Sequence, residues 1–546
     1  MNTVTILPAK RAPCEAACPA GIDVPRYVRQ VAAGRFSEAL ATIRERIPFP
    51  LVCGYACFHP CEAKCGRGQY EGPVAIRMLK RVAAELGSNT PGPAALQLTG
   101  KKAAVIGSGP CGLTAAYYLA LLGHEVTVFE AMDRSGGMLR YGIPGYRLPD
   151  AIVDADISLI EKRGVTIVTH ERVASAEALL GQGYHAVFIA SGAWRAVKLG
   201  IPGEEAPEVI KGIAFLAAVN AGASPSIGAK VVVVGGGDTA IDAARVSRRL
   251  GAEVVLVYRR TRAEMPASTE EIEAAIEEGV SMEFLAAPLA IDGGVMRCTR
   301  MALGAADASG RPQAKPVPGS EFSISANTII IAIGQQVDIP AQSVDREKNG
   351  VIRADPDCLA TSVTGIFAGG DAVTGPSTII DAIAQGRVAG AAIDRFLGGD
   401  GDLERFAGNR PDREISAAAP RGSMRKDWRN LSADTRLGSF ALVEQAYDEA
   451  TAISEASRCL SCDLLAYDTH VDAALCKDCG YCKEVCGLDV FARSEDFNAS
   501  GYRPYVAVRT ENCIGCLRCL YVCPDFAIRI RNLRESGQMQ EEGARA

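Results

Sequence analysis

Long apolar runs are missing from this chain of 546 residues. The longest, Leu113–Leu122 and Thr328–Ile333, fall well below the roughly 18 residues that cross a bilayer, so no membrane span is expected. The N-terminus, MNTVTILPAKRAPC, lacks the hydrophobic core of a signal peptide, which makes a cytoplasmic location the expectation. A basic excess is missing too: 58 Lys and Arg stand against 64 Asp and Glu, a net charge of −6. Aromatic residues make up 6%, with two Trp. A nucleic-acid binder needs cations against phosphates and rings against bases, and this chain offers neither in quantity. Histidine is scarce, five in all. No nucleophilic triad or paired-carboxylate arrangement stands out. What remains is a chain with 48% hydrophobic and 22% charged residues, long enough for about three to five domains.

Cysteine is the exception to this plainness. Nineteen is an odd number in a chain without an export signal, which argues against a disulfide framework. Six lie within residues 14–65 and ten within 459–523, leaving Cys111, Cys298 and Cys358 between. Thiols used as small core hydrophobes would scatter. Clustering at both ends points to metal.

Residues 476–486 read CKDCGYCKEVC and residues 513–524 read CIGCLRCLYVCP, each a C-x2-C-x2-C-x3-C run. Three thiolates at two-residue spacing wrap a cubane on a tight loop, and the fourth is expected to start a short helix and point at the neighbouring cluster. A zinc ribbon also uses C-x2-C pairs, but zinc takes four ligands in two pairs, and here two sets of four are present. The run resembles the two-cluster ferredoxins. That resemblance places Cys476, Cys479, Cys482 and Cys523 on one cluster and Cys513, Cys516, Cys519 and Cys486 on the other. Gly487 stands where the usual motif has Pro, and 26 residues separate the two runs.

From Lys101 the chain reads KKAAVIGSGPCGLTAAYYLALLGHEVTVFE. An apolar strand runs into Gly107-x-Gly109-x-x-Gly112, then a helix, then a second strand ending at Glu130. Glycines let the backbone turn and approach a pyrophosphate at the helix N-terminus, and an acid about 20 residues on can accept from a ribose. The pattern recurs 128 residues later as AKVVVVGGGDTAIDAARVSRRLGAEVVLVYRR, with Gly235-x-Gly237-x-x-Ala240. Its second strand ends in Arg259 and Arg260 rather than an acid, which suits the 2′-phosphate of NADP(H). A sheet-edge role for these arginines is the alternative. Two further apolar strands, Val187–Gly192 and Ile329–Gly334, end in small residues, and TGIFAGGD (364–371) leads to a helix starting near Thr378 that could aim its dipole at a flavin.

Over roughly residues 1–400 this order resembles the small subunit of glutamate synthase and the electron-input half of dihydropyrimidine dehydrogenase. GGMLRYGIPGYRLP, from Gly136, carries much of the likeness. The resemblance implies that FAD meets Gly107, Gly109, Gly112, Glu130, Gly137, Leu139, Arg147, Val173, Gly370, Asp371 and Thr378. It implies that NADPH meets Gly235, Gly237, Asp238, Thr239, Arg259, Arg260, Ala332 and Gly334. Disulfide reductases that share these folds carry a C-x-x-C or C-x4-C beside the flavin, and none occurs between residues 66 and 458. Cys111 therefore reads as a single buried thiol, and electrons are expected to leave the flavin for clusters.

At the N-terminus, CEAACP (14–19) precedes two predicted helices, the first capped by Asp23 with Pro25 in its opening turn. Cys53, Cys57, Cys61 and Cys65 follow at four-residue intervals, with Gly54 and Pro60 expected to break the helix into turns. His59 is expected near the clusters rather than on them. The family's N-terminal motif begins with a C-x2-C pair that this chain lacks before Cys14. Such a pair occurs instead at Cys459 and Cys462. The family's crossed ligation implies one cluster on Cys459, Cys462, Cys14 and Cys65. The second would sit on Cys18, Cys57 and Cys61, with Cys53 or a non-Cys residue as fourth ligand. A thiol pair with no cluster is the alternative for Cys459 and Cys462.

The expected fold is α/β: two interleaved Rossmann-like domains, preceded by an α-helical iron–sulfur domain and followed by an α+β two-[4Fe–4S] ferredoxin domain. The expected divisions are an iron–sulfur domain over 1–99, an FAD domain over 100–205 and 340–400, and an NADP(H) domain over 206–339. A linker over 401–470 and a ferredoxin-like domain over 471–546 complete the chain. The expected function is an electron-transfer oxidoreductase joining NADPH, FAD and about four [4Fe–4S] clusters. Its partner would be another oxidoreductase subunit, such as a 2-oxoacid:ferredoxin oxidoreductase, or a soluble ferredoxin, within a hetero-oligomer. A glutamate synthase small subunit and a non-catalytic relay or sensor scaffold are the alternatives.

Overall fold

The computed structural model describes residues 11–87, 92–306, 310–337, 343–408, 423–464 and 467–533. Two parallel five-stranded sheets occupy the middle of the chain. In the first, Lys102–Ile106 is central. Glu125–Phe129 and then Thr166–Val168 lie on one side, Ala186–Ile189 and then Ile366–Ala368 on the other. In the second, Lys230–Val234 is central, with Glu253–Tyr258 and Ser281–Phe284 on one side and Thr328–Ile331 and Val209–Lys211 on the other. The chain leaves the first sheet after four strands, builds the second, and returns for the fifth, so the two are interleaved. The central strands are near-continuous runs of buried Ala and Val, as strands covered on both faces require.

Register decides where the sites fall. Ile106 pairs with both Phe129 and Ile189, so Gly107, Glu130 and Ala190 emerge together at one sheet edge. Val234 pairs with Val257 and Ile331, which brings out Gly235, Tyr258 and Ala332 in the same way. In doubly wound sheets ligands bind at this point, where strand order reverses. A four-stranded antiparallel sheet (Ala286–Asp292, Val295–Ala306, Pro312–Pro316 and Phe322–Ser325) is inserted before Thr328–Ile331.

The N-terminal domain is helical. Asp23 caps Val24–Ala32 by accepting from the Arg26 N–H at 3.2 Å, and Tyr27, Val28 and Val31 face the core. Gly54 does not break its helix, contrary to the expectation from sequence. Gly54 lies inside the helix Pro50–Ala56, and a Cβ there would sit 2.6 Å from the Arg81 Cα. Glycine serves close approach of the helix Ile76–Leu86, and the break comes at Cys57, where the backbone turns extended.

The segment 423–464 runs back across the N-terminal domain. Arg29 holds the Asp463 carboxylate at 2.7 and 2.9 Å, and buried Arg458 donates to the Gly72 carbonyl at 2.7 Å. Glu455 accepts from the Ala75 N–H at 2.9 Å. In the C-terminal module Tyr467–Val471 pairs with Ile528–Asn532, and Phe491–Arg493 with Tyr505–Ala507. Its two short helices, Tyr481–Val485 and Arg518–Val522, end at Cys486 and Cys523. The fourth cysteine of each run therefore closes a helix, opposite to the expectation that it would start one. Among the described residues no helix is long and apolar enough to cross a membrane.

Candidate functional site

A cavity of about 250 Å³ opens at the edge of the first sheet. Gly107, Gly109, Glu130, Gly137, Leu139, Val173, Gly370, Asp371 and Thr378 all line it. Gly107 has φ +101, and a Cβ there would lie 2.5 Å from the Ala190 carbonyl oxygen, so only glycine lets this turn pass the neighbouring strand end. Glu130 is buried and accepts from the Ser108 and Met132 N–H groups at 2.9 and 2.8 Å, which fixes its carboxylate at the cavity wall. Asp371 accepts from the Ser377 N–H and hydroxyl, both at 3.0 Å, and burial raises its pKa. Thr378 caps the long helix Ile379–Phe396 at the cavity's rim, accepting from the Asp381 N–H.

This cavity suits a dinucleotide. Ser191 also lines it, and its hydroxyl is buried with no hydrogen-bond partner among the described residues. A buried hydroxyl left this way costs on the order of 1–3 kcal/mol unless a ligand satisfies it. Sequence reasoning missed Ser191, although its place two residues beyond a buried strand was a usable signal. Two expected FAD contacts lie elsewhere. Gly112 packs inside the helix Pro110–Leu121, where a Cβ would meet the Gly107 carbonyl oxygen at 2.1 Å. Arg147 crosses to the second dinucleotide domain, pairing with Asp242 at 2.8 Å and Glu271 at 3.2 Å. Cys111 is a buried, unpaired thiol raised by burial and then by Asp371.

The second site repeats the first. Gly235 has φ +144, and a Cβ would sit 2.1 Å from the Ala332 carbonyl oxygen, the counterpart of the Gly107–Ala190 contact. Thr239, Ala332 and Gly334 line one small hollow, with Gly237 and Asp238 at the start of the adjoining helix. Asp238 is raised by burial, with Arg147 opposing. The two arginines separate. Arg259 is exposed at the strand end, whereas Arg260 is buried and donates to the Pro312 carbonyl at 2.8 Å.

The N-terminal thiols form two groups. Cys14 is raised well above the ordinary thiol range by burial and then by Cys65, Cys462 and Cys459 around it. A Cβ on Gly66 would lie 2.9 Å from the Cys462 Sγ. Residues from both ends of the chain thus meet. Cys18, Cys53, Cys57 and Cys61 make the second group: burial raises Cys53 and Cys61, and each feels Lys80 and Cys57. Cys53, the candidate fourth ligand beside a non-Cys residue, lies with this group. His59 stands aside, its Nε2 3.5 Å from Glu270.

In the C-terminal module one hollow is lined by Cys476, Cys479, Cys482 and Cys523, and another by Cys486, Cys513, Cys516 and Cys519. These are the crossed quartets. Gln69 of the N-terminal domain lines the second hollow, and Lys64 pairs with Asp489 at 2.8 Å nearby. A Cβ on Gly66, which touches Cys462, would also lie 3.3 Å from Ile514, so the split group abuts the ferredoxin quartet. Cys479 is exposed at the far end. No three His, Cys, Asp or Glu side chains among the described residues converge on a single-ion position; a cubane spreads its four thiolates over four irons.

Comparison with known proteins agrees with this layout. Residues 101–386 match the pyridine nucleotide-disulphide oxidoreductase family. Residues 6–90 match the 4Fe-4S domain II of dihydropyrimidine dehydrogenase, and residues 475–527 match the 4Fe-4S dicluster domain. The NADP(+)-dependent formate dehydrogenase subunit beta of Moorella thermoacetica is 40% identical over 84% of this chain and 71% of its own. The NADPH-Fe(3+) oxidoreductase subunit beta of Geobacter sulfurreducens is 37% identical over 83% and 75%. The glutamate synthase [NADPH] small chain of Azospirillum brasilense is 33% identical over 70% and 86%.

Proposed function

Because the chain belongs to the pyridine nucleotide-disulphide oxidoreductase family and carries 4Fe-4S domains at both ends, we propose that it moves electrons between NADPH and a partner protein through FAD and four clusters. When bound, FAD accepts two electrons as hydride and releases them singly, and each cubane carries one. The chain's own residues arrange these groups. Glu130, Asp371 and the Thr378 helix start would hold the flavin's ribose, chain and ring. The loop after Val234 would hold NADPH, with Arg259 on its 2′-phosphate. Cys18, Cys53, Cys57 and Cys61 would hold the first cluster and Cys14, Cys65, Cys459 and Cys462 the second. The two ferredoxin quartets would hold the third and fourth. The divisions anticipated from sequence, 1–99, 100–205 with 340–400, 206–339, 401–470 and 471–546, serve as this proposal's units.

The observation that supports the reading is the presence of four thiol groups, one on a helix bonded to the first-sheet domain and another including exposed Cys479. The partner is a second oxidoreductase subunit. The relatives named as formate dehydrogenase and Fe(3+) oxidoreductase subunits favour such a partner over the 2-oxoacid:ferredoxin oxidoreductase anticipated from sequence. A glutamate synthase small subunit is the second reading, motivated by the Azospirillum relative. Truncation after residue 466 tests the exit route. NADPH should still bleach the flavin in the truncated protein, while reduction of the co-purified partner stops. Undiminished partner reduction would overturn the route, and no bleaching of the full chain by either nucleotide would favour a scaffold.

A further inference from the structure

The helix Ile76–Leu86 carries three buried cations, Arg77, Lys80 and Arg81, and they are not equivalent. Arg77 pairs with Glu444 and donates to the Gly54 and Tyr55 carbonyls at 3.2 and 3.1 Å. Arg81 pairs with Glu85 at 2.7 Å and donates to the Glu444 carbonyl at 2.9 Å. Between them Lys80 is 3% exposed, and no carboxylate is among the charges that act most strongly on its ammonium. The charges that act on it most strongly are the thiols of Cys57, Cys53, Cys61 and Cys18, all buried in the same domain. Its place is fixed, because Arg77 staples one side of the helix to residues 54 and 55 and the Arg81 backbone packs on Gly54.

An uncompensated buried ammonium costs several kcal/mol. The arginines beside Lys80 are compensated by carboxylates, and Lys80 is not. Its natural counter-charge is the anionic assembly that four thiolates make. Adding one electron to that assembly makes it more negative, and a fixed positive charge in a poorly screened interior favours the added electron.

We propose that Lys80 sets the reduction potential of the cluster held by Cys18, Cys53, Cys57 and Cys61, raising it so that this cluster is the ready first acceptor from the flavin. The proposal rests on the function given above. The electron comes from reduced flavin, one at a time; no bond forms or breaks, and no proton moves at Lys80. Lys80 is a positioning residue for charge and not a ligand.

The test is a spectroscopic redox titration of the full, cluster-loaded chain. Cys61→Ser first identifies the relevant signal. If that variant keeps all its iron and every signal, the quartet itself is wrong and the proposal falls with it. With the signal identified, Lys80→Met should lower its midpoint by at least about 59 mV, a tenfold change in one-electron partition. The other three signals should stay in place. Lys80→Arg should titrate like the parent. Should Lys80→Met lose that cluster while Lys80→Arg keeps it at the parental potential, the charge is again what matters. An unmoved midpoint with full iron, a common shift of all four signals, or loss of the cluster from Lys80→Arg as well would overturn the proposal.

Discussion

Arg259 and Arg260 are neighbours with different work. Arg259 is exposed at the end of Glu253–Tyr258, where a 2′-phosphate would approach, whereas Arg260 anchors the inserted antiparallel sheet through Pro312. A charge-assisted contact is worth about 1.5–3 kcal/mol, and about 1.4 kcal/mol is tenfold in affinity. Arg259→Ala should therefore raise the NADPH Michaelis constant about tenfold or more and spare NADH, measured with an artificial acceptor. Arg260→Ala should act on thermal stability and leave the nucleotide preference close to the parent's. A reversal of those two effects would refute the division of roles. At this scale the sequence was legible where spacing carries the chemistry: the Gly107 and Gly235 loops leave their strands as expected, Glu130 lies at the cavity wall, and the cysteine runs group as their spacing suggests, although the fourth of each closes a helix and does not start one. It was not legible where a side chain can swing. Nothing in GYRLP tells that Arg147 reaches Asp242, or in YRR that Arg260 turns inward.

Between elements, one buried hydrogen bond joins the first-sheet domain to the N-terminal helical domain. Asp156, on the helix Asp150–Glu161, accepts from the Val52 N–H at 2.9 Å and so satisfies the start of Pro50–Ala56, which carries Cys53. Its other carboxylate oxygen is buried without a partner among the described residues, and burial raises its pKa to about 8. The folded chain keeps this proton up to about pH 8 while the unfolded chain releases it near pH 4, so unfolding releases a proton in that window. Stability attributable to Asp156 is full below about pH 4 and falls as pH rises towards 8, by up to about 1.4 kcal/mol per pH unit. Asp156→Asn, whose amide oxygen can still accept from Val52, should flatten that decline and raise the melting temperature at pH 8. Parallel melting curves for parent and variant from pH 5 to 8 would rule this out. The junction of the two helices was not legible in the sequence, because a lone Asp on a helix face reads as solvated. The inserted antiparallel sheet escaped sequence reading because its strands are half exposed and weakly patterned.

On the scale of the whole molecule, the two ends of the chain are clasped. Cys459 and Cys462 lie with Cys14 and Cys65, and Arg29–Asp463 and Glu455–Ala75 hold the same junction. Replacing Cys459 and Cys462 with Ala should cost about four irons of roughly sixteen, as one cubane of four implies. Full iron with an unchanged low-temperature spin-resonance spectrum would refute the split cluster. The fold class and the motif order were legible at this scale, because each motif is local. The clasp followed only from a pair of thiols too few to ligate alone. It also imposes a timetable on biosynthesis. Cys18, Cys53, Cys57 and Cys61 have all been made once 61 residues are synthesised, whereas Cys14 and Cys65 must wait for some four hundred more before their partners exist. A ribosome-bound chain should thus acquire its clusters in order, the flavin-side one early and the split one near the end. A chain ending at residue 408 should load about four irons and no more. Finding eight in it would show that Cys14 and Cys65 recruit a cluster without the far end. Until that late closure the proposed electron path would have a gap, so a nascent or prematurely terminated chain should take hydride without passing electrons onward.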